Sequence, residues 1–369
     1  MRPLPDLLRP RGFGPVSAIA VAAALAACAP ASATRPVTPA PVRGFVVPDR
    51  ATLVAGIDSV VQSPEFRNAH WGILVVDPER GDTLYSHNAG KLFMPASNQK
   101  IVTGAVALAR LGPDYRFRTA FAAGGPVADG TLHGDLLVMG SGDPSVSTSV
   151  HGDAMVPLRA VADSLYDRGL RRIDGTLRSA RDAFPGDIYG FGWAFDDFDY
   201  AYSAPVDELM FNESFTRVTV RGTVPGQPPS VTIVPTARAL RVQVEAITTS
   251  RGDSIASRVQ YFGAATTPGD SIRNLVRLVG TINAGDSVSF NVAHRDPTGA
   301  YLDALAAALE ARGISVRQPA TNGAVAGTAT RADTLFVLHS VPLRELLPVF
   351  EKPSQNQIGE VLLRTLGLQ

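Results

Sequence analysis

The chain has 369 residues, with 34 basic and 34 acidic side chains and 45% apolar residues. That length allows two or more domains with a sizeable core. The zero net charge, with both signs well mixed, argues against nucleic acid or an anionic surface as the partner.

The N-terminus reads as a leader. Arg2, Arg9 and Arg11 make a positive start, and Val16 to Ala27 make an apolar run too short to remain as a membrane span. Leu25-Ala26-Ala27-Cys28 resembles a bacterial lipobox, in which Cys28 becomes the lipidated first residue. Cleavage at a nearby small-residue triplet, followed by simple secretion, is the other reading. Both take residues 1–28 as a signal peptide and export the chain to the periplasm. Ala29 after Cys28 is compatible with sorting to the outer membrane. Cys28 is the only cysteine, so no intrachain disulfide is expected. Residues 29–48, rich in Pro, Ala and Thr, read as a tether.

Beyond the tether the pattern predicts a short helix over Ile57 to Phe66. A hairpin follows, from Trp71 to Asp77 and Thr83 to Ser86 across a turn at 78–82. Ile101, Val102, Ala105, Leu108 and Ala109 recur at helical spacing, and Gly112-Pro113 stops that helix. Residues 114–295 change texture. Short strands are expected at Leu136–Met139, Arg217–Arg221, Ser230–Val234, Val242–Ile247 and Arg258–Tyr261, with a helix at Leu158–Arg168. Frequent Gly and Pro (34 and 28 residues) suit such strands and turns. Helical periodicity returns at Tyr301–Ala311, Leu343–Phe350 and Ile358–Leu366. The expected architecture is α+β. One domain is split between 49–113 and 296–369, and a β-rich insertion occupies 114–295.

The chemistry centres on Ser97 and Lys100, in Phe93-Met94-Pro95-Ala96-Ser97-Asn98-Gln99-Lys100. The chain has only three lysines, Lys91, Lys100 and Lys352, among 34 basic residues. A site needing only positive charge would take arginine here. Arginine cannot release its proton, whereas a buried lysine can. A serine hydroxyl needs a base to become a nucleophile, and a lysine at i+3 lies on the same helical face. Its pKa must fall toward roughly 7–8 for that role, and Phe93, Met94 and Ile101 are the apolar neighbours expected to lower it. The helix N-terminus offers N–H groups for an oxyanion. A serine in this position can also be a plain helix cap. Ser354 and Asn356, in Lys352-Pro353-Ser354-Gln355-Asn356, sit two apart between predicted helices, where both can face one cleft. A capped turn is the plainer reading of that stretch. Ser86-His87-Asn88 repeats the spacing, but at a strand end.

Together the S-x-x-K and S-x-N patterns match penicillin-recognising serine enzymes. The chain resembles the D-alanyl-D-alanine carboxypeptidase/endopeptidase family, the low-molecular-mass class C penicillin-binding proteins. Four segments carry the resemblance in the family's order: Pro95–Lys100; Gly140-Ser141-Gly142-Asp143-Pro144; Gly192-Trp193 through Tyr202–Val206 to Asn212-Glu213; and Ser354-Gln355-Asn356 with Gly359–Leu363. The resemblance implies a β-lactamase/transpeptidase-like domain around a large insertion. It implies Ser97 as acylated nucleophile, Lys100 as its base, Ser354 as proton carrier to the leaving D-alanine, and Asn356 as binder of the acyl-side amide. Trp193, Asp196 and Tyr202 would contact the peptide stem. The implied partners are peptidoglycan stem peptides, with β-lactams as covalent inhibitors and a membrane through the lipid anchor.

Two departures stand out. Gln355 replaces the family's frequent aspartate, and no Lys-Thr-Gly box follows, since Lys352 is the last lysine. A truncated chain with its C-terminal strands missing is therefore expected. One lost oxyanion donor costs about 10²–10³ in rate, so activity of the chain as it stands is the weakest expectation. The competing readings are a class C β-lactamase or esterase, which usually carry tyrosine at the Ser354 position, and a non-catalytic cell-wall binding protein. No H-E-x-x-H, Cys/His cluster, G-x-S-x-G or P-loop occurs, so no metal or cofactor is expected.

Overall fold

The computed structural model describes residues 49–180, 183–236, 238–252, 257–263, 274–317 and 333–369. Cys28, the leader and the tether lie outside the described residues. The chain divides into two compact units, Met1–Met94 and Pro95–Gln369.

The first unit contains helix α1 (Arg50–Val61) and the expected hairpin, Ile73–Val76 against Thr83–His87. Asp49 caps α1 by accepting from the Thr52 N–H at 2.8 Å. Helix and hairpin are tied by the Tyr85 hydroxyl, which donates to Asp58 at 2.6 Å, and by Arg50 Nε on the Leu84 carbonyl at 3.2 Å. Phe93 stacks on His70 with ring centroids 4.8 Å apart.

The second unit opens with α2 (Gln99–Leu111), stopped at Gly112 with φ +86°. Only glycine takes that backbone readily, which fits the stop read at Gly112-Pro113. Helices α3 (Thr148–His151), α4 (Met155–Asp167) and α5 (Pro297–Arg312) follow. Asp296 caps α5 through the Gly299 N–H at 2.8 Å, and Pro297 occupies its first turn. Helices α6 (Leu343–Glu351) and α7 (Asn356–Gly367) complete the set.

Among the described residues the three larger of four hydrophobic clusters organise this unit. In the first, α4 and α5 pack together over a sheet ordered Asp333–His339, Arg118–Ala123, Leu136–Met139, Leu177–Ser179. Leu158, Val161, Leu302 and Leu305 are fully buried there, each contributing about 1.5–3 kcal/mol relative to exposure. The first turns of α5 are buried on every side, which is why they show no single apolar stripe. In the second cluster, Leu343, Leu346 and Phe350 of α6 and Ile358, Val361 and Leu362 of α7 meet Ala107 of α2. The third lies between two small sheets. One is antiparallel, ordered Ser230–Val234, Phe215–Arg221, Ser287–Ala293; the other is built around Leu275–Asn283. The segment after residue 296 thus contributes to two bodies. Helix α5 and strand Asp333–His339 pack with residues 118–179, and α6 and α7 pack with α2.

Gly140-Ser141-Gly142-Asp143-Pro144 is a structural junction. A side chain at Gly140 would collide with the Glu208 carbonyl, which also accepts from the Gly142 N–H at 2.8 Å. Gly142 adopts φ +79° against the Phe184 ring. The Ser141 hydroxyl bonds both the N–H and the carbonyl of Arg118, at 3.0 and 2.9 Å. Burial pushes the Asp143 carboxyl up to about 6. The motif therefore locks the sheet to the segment that runs into the cleft.

Candidate active site

Ser97 sits in a 3-10 turn over Ala96–Asn98 that feeds directly into α2. Lys100 follows in the first turn of α2. Its Nζ lies 3.0 Å from Ser97 Oγ and 2.6 Å from Asn356 Oδ1. Asn356 is the first residue of α7, and its Nδ2 donates to the Tyr202 carbonyl at 2.6 Å. Both ends of the amide are thereby committed, which fixes its orientation. A neutral lysine amine can give one N–H to Asn356 and turn its lone pair toward the Ser97 hydroxyl.

Burial lowers the pKa of Lys100, and the charge of Glu351 partly opposes this. Two of the apolar neighbours expected from the sequence, Met94 and Ile101, are themselves 92% and 66% exposed. The start of α7, at Asn356 and Gly359, lies directly against Lys100. A Cβ at Gly359 would stand 3.1 Å from the Phe350 ring and in ordinary contact, 3.9 Å, with Lys100 Cε, so glycine there eases the packing of α6 on α7 beside the lysine stem.

Ser97, Lys100, Trp193 and Asn356 line one cleft of about 360 Å³, with Thr103 and Glu360. Trp193 reaches it because Gly190 is bare: a Cβ there would stand 2.5 Å from the indole nitrogen and 2.9 Å from Glu360 Oε1. Ser354 occupies the left-handed region at φ +60°. Its Oγ is buried, with no hydrogen-bond partner among the described residues. Tyr202 meets Asn356 through its backbone. Its hydroxyl donates to Asp197 at 2.6 Å, which pushes its pKa up to about 12. Asp196 is exposed in the 3-10 turn Phe195–Asp197 and is not among the residues lining the cleft. Among the described residues no group of three or more His, Cys, Asp or Glu side chains could hold a metal ion.

Several contributors escape sequence reasoning. Gln357 is fully buried, and its Nε2 donates to the carbonyls of Ala201 and Ala204 at 2.8 and 3.0 Å. With Asn356 on Tyr202, the start of α7 reads three carbonyls of the 201–204 loop. Gln355 caps α7 by accepting from the Gln357 N–H at 2.9 Å and donates Nε2 to Glu213 at 2.7 Å. The other Glu213 oxygen accepts from Ser147 Oγ at 2.5 Å. The one available signal for these partners was that Asn212-Glu213 and Gln355 both fall inside segments that carry the family resemblance.

A family model described as D-Ala-D-Ala carboxypeptidase 3 (S13) matches residues 53–369. The chain belongs to that family. It is 28% identical over 319 residues to a D-alanyl-D-alanine carboxypeptidase of Actinomadura sp., covering 84% of this chain and 56% of that relative. It is 25% identical over 148 residues to the D-alanyl-D-alanine carboxypeptidase DacB of Haemophilus influenzae, covering 40% and 29%. Its fold matches the crystal structure of penicillin binding protein 4 (dacB) from Haemophilus influenzae with a TM-score of 0.62 at 20% identity, over 80% of this chain and 61% of that one. A structure of the same protein complexed with a novel β-lactam matches with a TM-score of 0.59 at 19% identity, over 79% and 59%. The chain thus spans 56% of the Actinomadura relative and 61% of the penicillin binding protein 4 chain. The α+β architecture with an insertion is that of this fold.

Proposed function

We propose that this chain carries the acylation centre of a serine D-Ala-D-Ala carboxypeptidase/endopeptidase acting on peptidoglycan stem peptides, and that β-lactams acylate it. The observation that carries this is Lys100 Nζ, held 3.0 Å from Ser97 Oγ and 2.6 Å from Asn356 Oδ1. Family membership over residues 53–369 supports it. Ser97 Oγ attacks the carbonyl of the penultimate D-alanine as Lys100 takes its proton. Ser354, whose hydroxyl spends no hydrogen bond on the described protein, carries a proton to the departing amine. Trp193 forms one wall for the peptide. Water then releases the acyl group from Ser97.

Fluorescent penicillin tests this reading. Covalent label is expected on Ser97, located by peptide mass spectrometry, and Ser97→Ala is expected to abolish it. A label that survives Ser97→Ala defeats the proposal. Release of D-alanine from a stem pentapeptide, faster than hydrolysis of the β-lactam, separates a carboxypeptidase from a β-lactamase.

The leader places the protein outside the cytoplasm, with Cys28 as its lipid anchor. Among the described residues no helix is long and apolar enough to cross a membrane. Incorporation of labelled fatty acid in cells, lost in Cys28→Ser, checks the anchor; equal labelling of both proteins rules it out.

A further inference from the structure

Two glycines shape the surroundings of Lys100. Gly359 on α7 lies beside the lysine stem, where a Cβ would stand 3.9 Å from Lys100 Cε and 3.1 Å from the Phe350 ring. Gly104 lies one turn further along α2; a Cβ built there would overlap Glu351 Oε1 and stand 3.4 Å from the Phe350 ring. The close approach of α6 to α2 therefore lays a ring and a carboxylate against the helix face that carries the base. Glu351 ends α6 and is only partly exposed. Its carboxylate has no hydrogen bond or ion pair of its own among the described residues.

The other charges near Lys100 are accounted for. On α7, Glu360 lines the cleft, with Arg364 Nε at 4.0 Å from its carboxylate. In the facing loop, Asp197 accepts from Tyr202, and Asp196 is turned to solvent. On α2 the only other charged residue is Arg110, in its last turn, and the 3-10 turn before it has none. Glu351 is the carboxylate left without a partner.

We propose that Glu351 is a positioning residue for acylation: its carboxylate, laid against Gly104 one turn beyond Lys100, is the counter-charge for the ammonium formed when Ser97 gives up its proton. The inference rests on Lys100 as base, as proposed above. In that step the proton passes from Ser97 Oγ to Lys100 Nζ while Oγ bonds to the acyl carbon. The C–N bond then breaks, and its nitrogen takes up a proton. Positive charge thus appears on a partly buried amine at the moment negative charge appears on the oxyanion. A carboxylate so placed steadies the first of these and keeps burial from making the amine too weak a base. The opposing effects of burial and Glu351 on Lys100 agree with this.

The scarcity of lysine makes a direct test practical. Protein labelled with ¹³C at lysine Cε gives three side-chain signals, because Lys91, Lys100 and Lys352 are the only lysines. Lys91→Arg and Lys352→Arg assign them. In Glu351→Gln the Lys100 titration midpoint is expected to fall by about 0.5–1 unit. The acid limb of the penicillin-acylation profile should move to lower pH with it, since a weaker base stays neutral further down. Glu351→Ala should give the same fall, and Glu351→Asp should stay near wild type. Should Glu351→Gln not fold, the alanine variant decides alone. A midpoint unmoved by loss of the carboxylate overturns the proposal, as does a uniform loss of rate with an unmoved acid limb. The titration needs no turnover. A wild-type protein that titrates normally but captures no penicillin therefore defeats the functional reading instead.

Discussion

Lys100→Arg is expected to slow capture of fluorescent penicillin by Ser97 about 10²–10⁴-fold, the usual worth of a positioned general base. The variant isolates proton transfer. Arginine keeps the positive charge and a long stem, and its N–H groups can still reach Asn356 Oδ1, which now accepts from Lys100 Nζ at 2.6 Å. What it cannot do is lose a proton near neutral pH, so the Ser97 hydroxyl, 3.0 Å away, keeps its own. Burial, which leaves more of the lysine neutral and able to accept a proton by disfavouring its charged form, gives nothing to a guanidinium. The time course of labelling, read beside a thermal melt, distinguishes a lost base from a lost fold. The melt should move little, because Lys100 is at the edge of the α2–α7 contact and not within the Leu343–Leu362 cluster. An unchanged labelling rate would mean that another group takes the proton.

The legibility of this chain follows from where side chains bury. Helices α6 and α7 present apolar stripes at helical spacing, Leu343-Leu346-Phe350 and Ile358-Val361-Leu362, and their expected spans fall within a few residues of those observed. Leu136–Met139 and Ser230–Val234 coincide with strands. Arg118–Ala123 was not legible. Three of its six residues are alanine and it is buried along most of its length, so it shows no alternation, and Thr119 and Phe121 alone are a weak strand signal. Strand Leu275–Asn283 is interrupted by Gly280 at φ +99°, where a side chain would collide with the Arg258 carbonyl of the neighbouring strand. Such a glycine reads from sequence as a turn. Within the site, the Ser97–Lys100–Asn356 group could be read because each member sits at fixed spacing from a helix start. Asp197, the partner of Tyr202, was indistinguishable from Asp196 without the geometry of the 3-10 turn. Glu351 had no signal, because its contact with α2 depends on Gly104, and a glycine within a helical pattern ordinarily marks only weakened helix propensity.

Gln355→Glu is expected to destabilise the protein by about 3–5 kcal/mol, the cost of an uncompensated charge in a buried site, or roughly 10 °C in a thermal melt. The wild-type amide works at both ends, capping α7 through its oxygen and donating Nε2 to Glu213 at 2.7 Å. Glu213 is 3% exposed and held at φ +54°. Among the described residues its hydrogen-bonding groups are neutral donors, the Ser147 hydroxyl and this amide. Glutamate has the same shape, so packing is conserved and only the donor is exchanged for a second carboxylate. The loss should shrink as pH falls, because one proton shared between facing carboxyls restores the missing donor. The sign follows from linkage: a carboxyl whose folded pKa is raised above its unfolded value destabilises the fold at high pH and is relieved on acidification. Adding Glu213→Gln to Gln355→Glu inverts the pair and should recover more than half of the loss, a coupling that independent sites would not show. A double variant no more stable than the single one would mean that the two side chains do not act together. The consequence reaches catalysis because Gln355 immediately precedes Asn356, the residue that holds Lys100. Ser147 and Glu213 thereby fix where α7 begins and so where Lys100 is held.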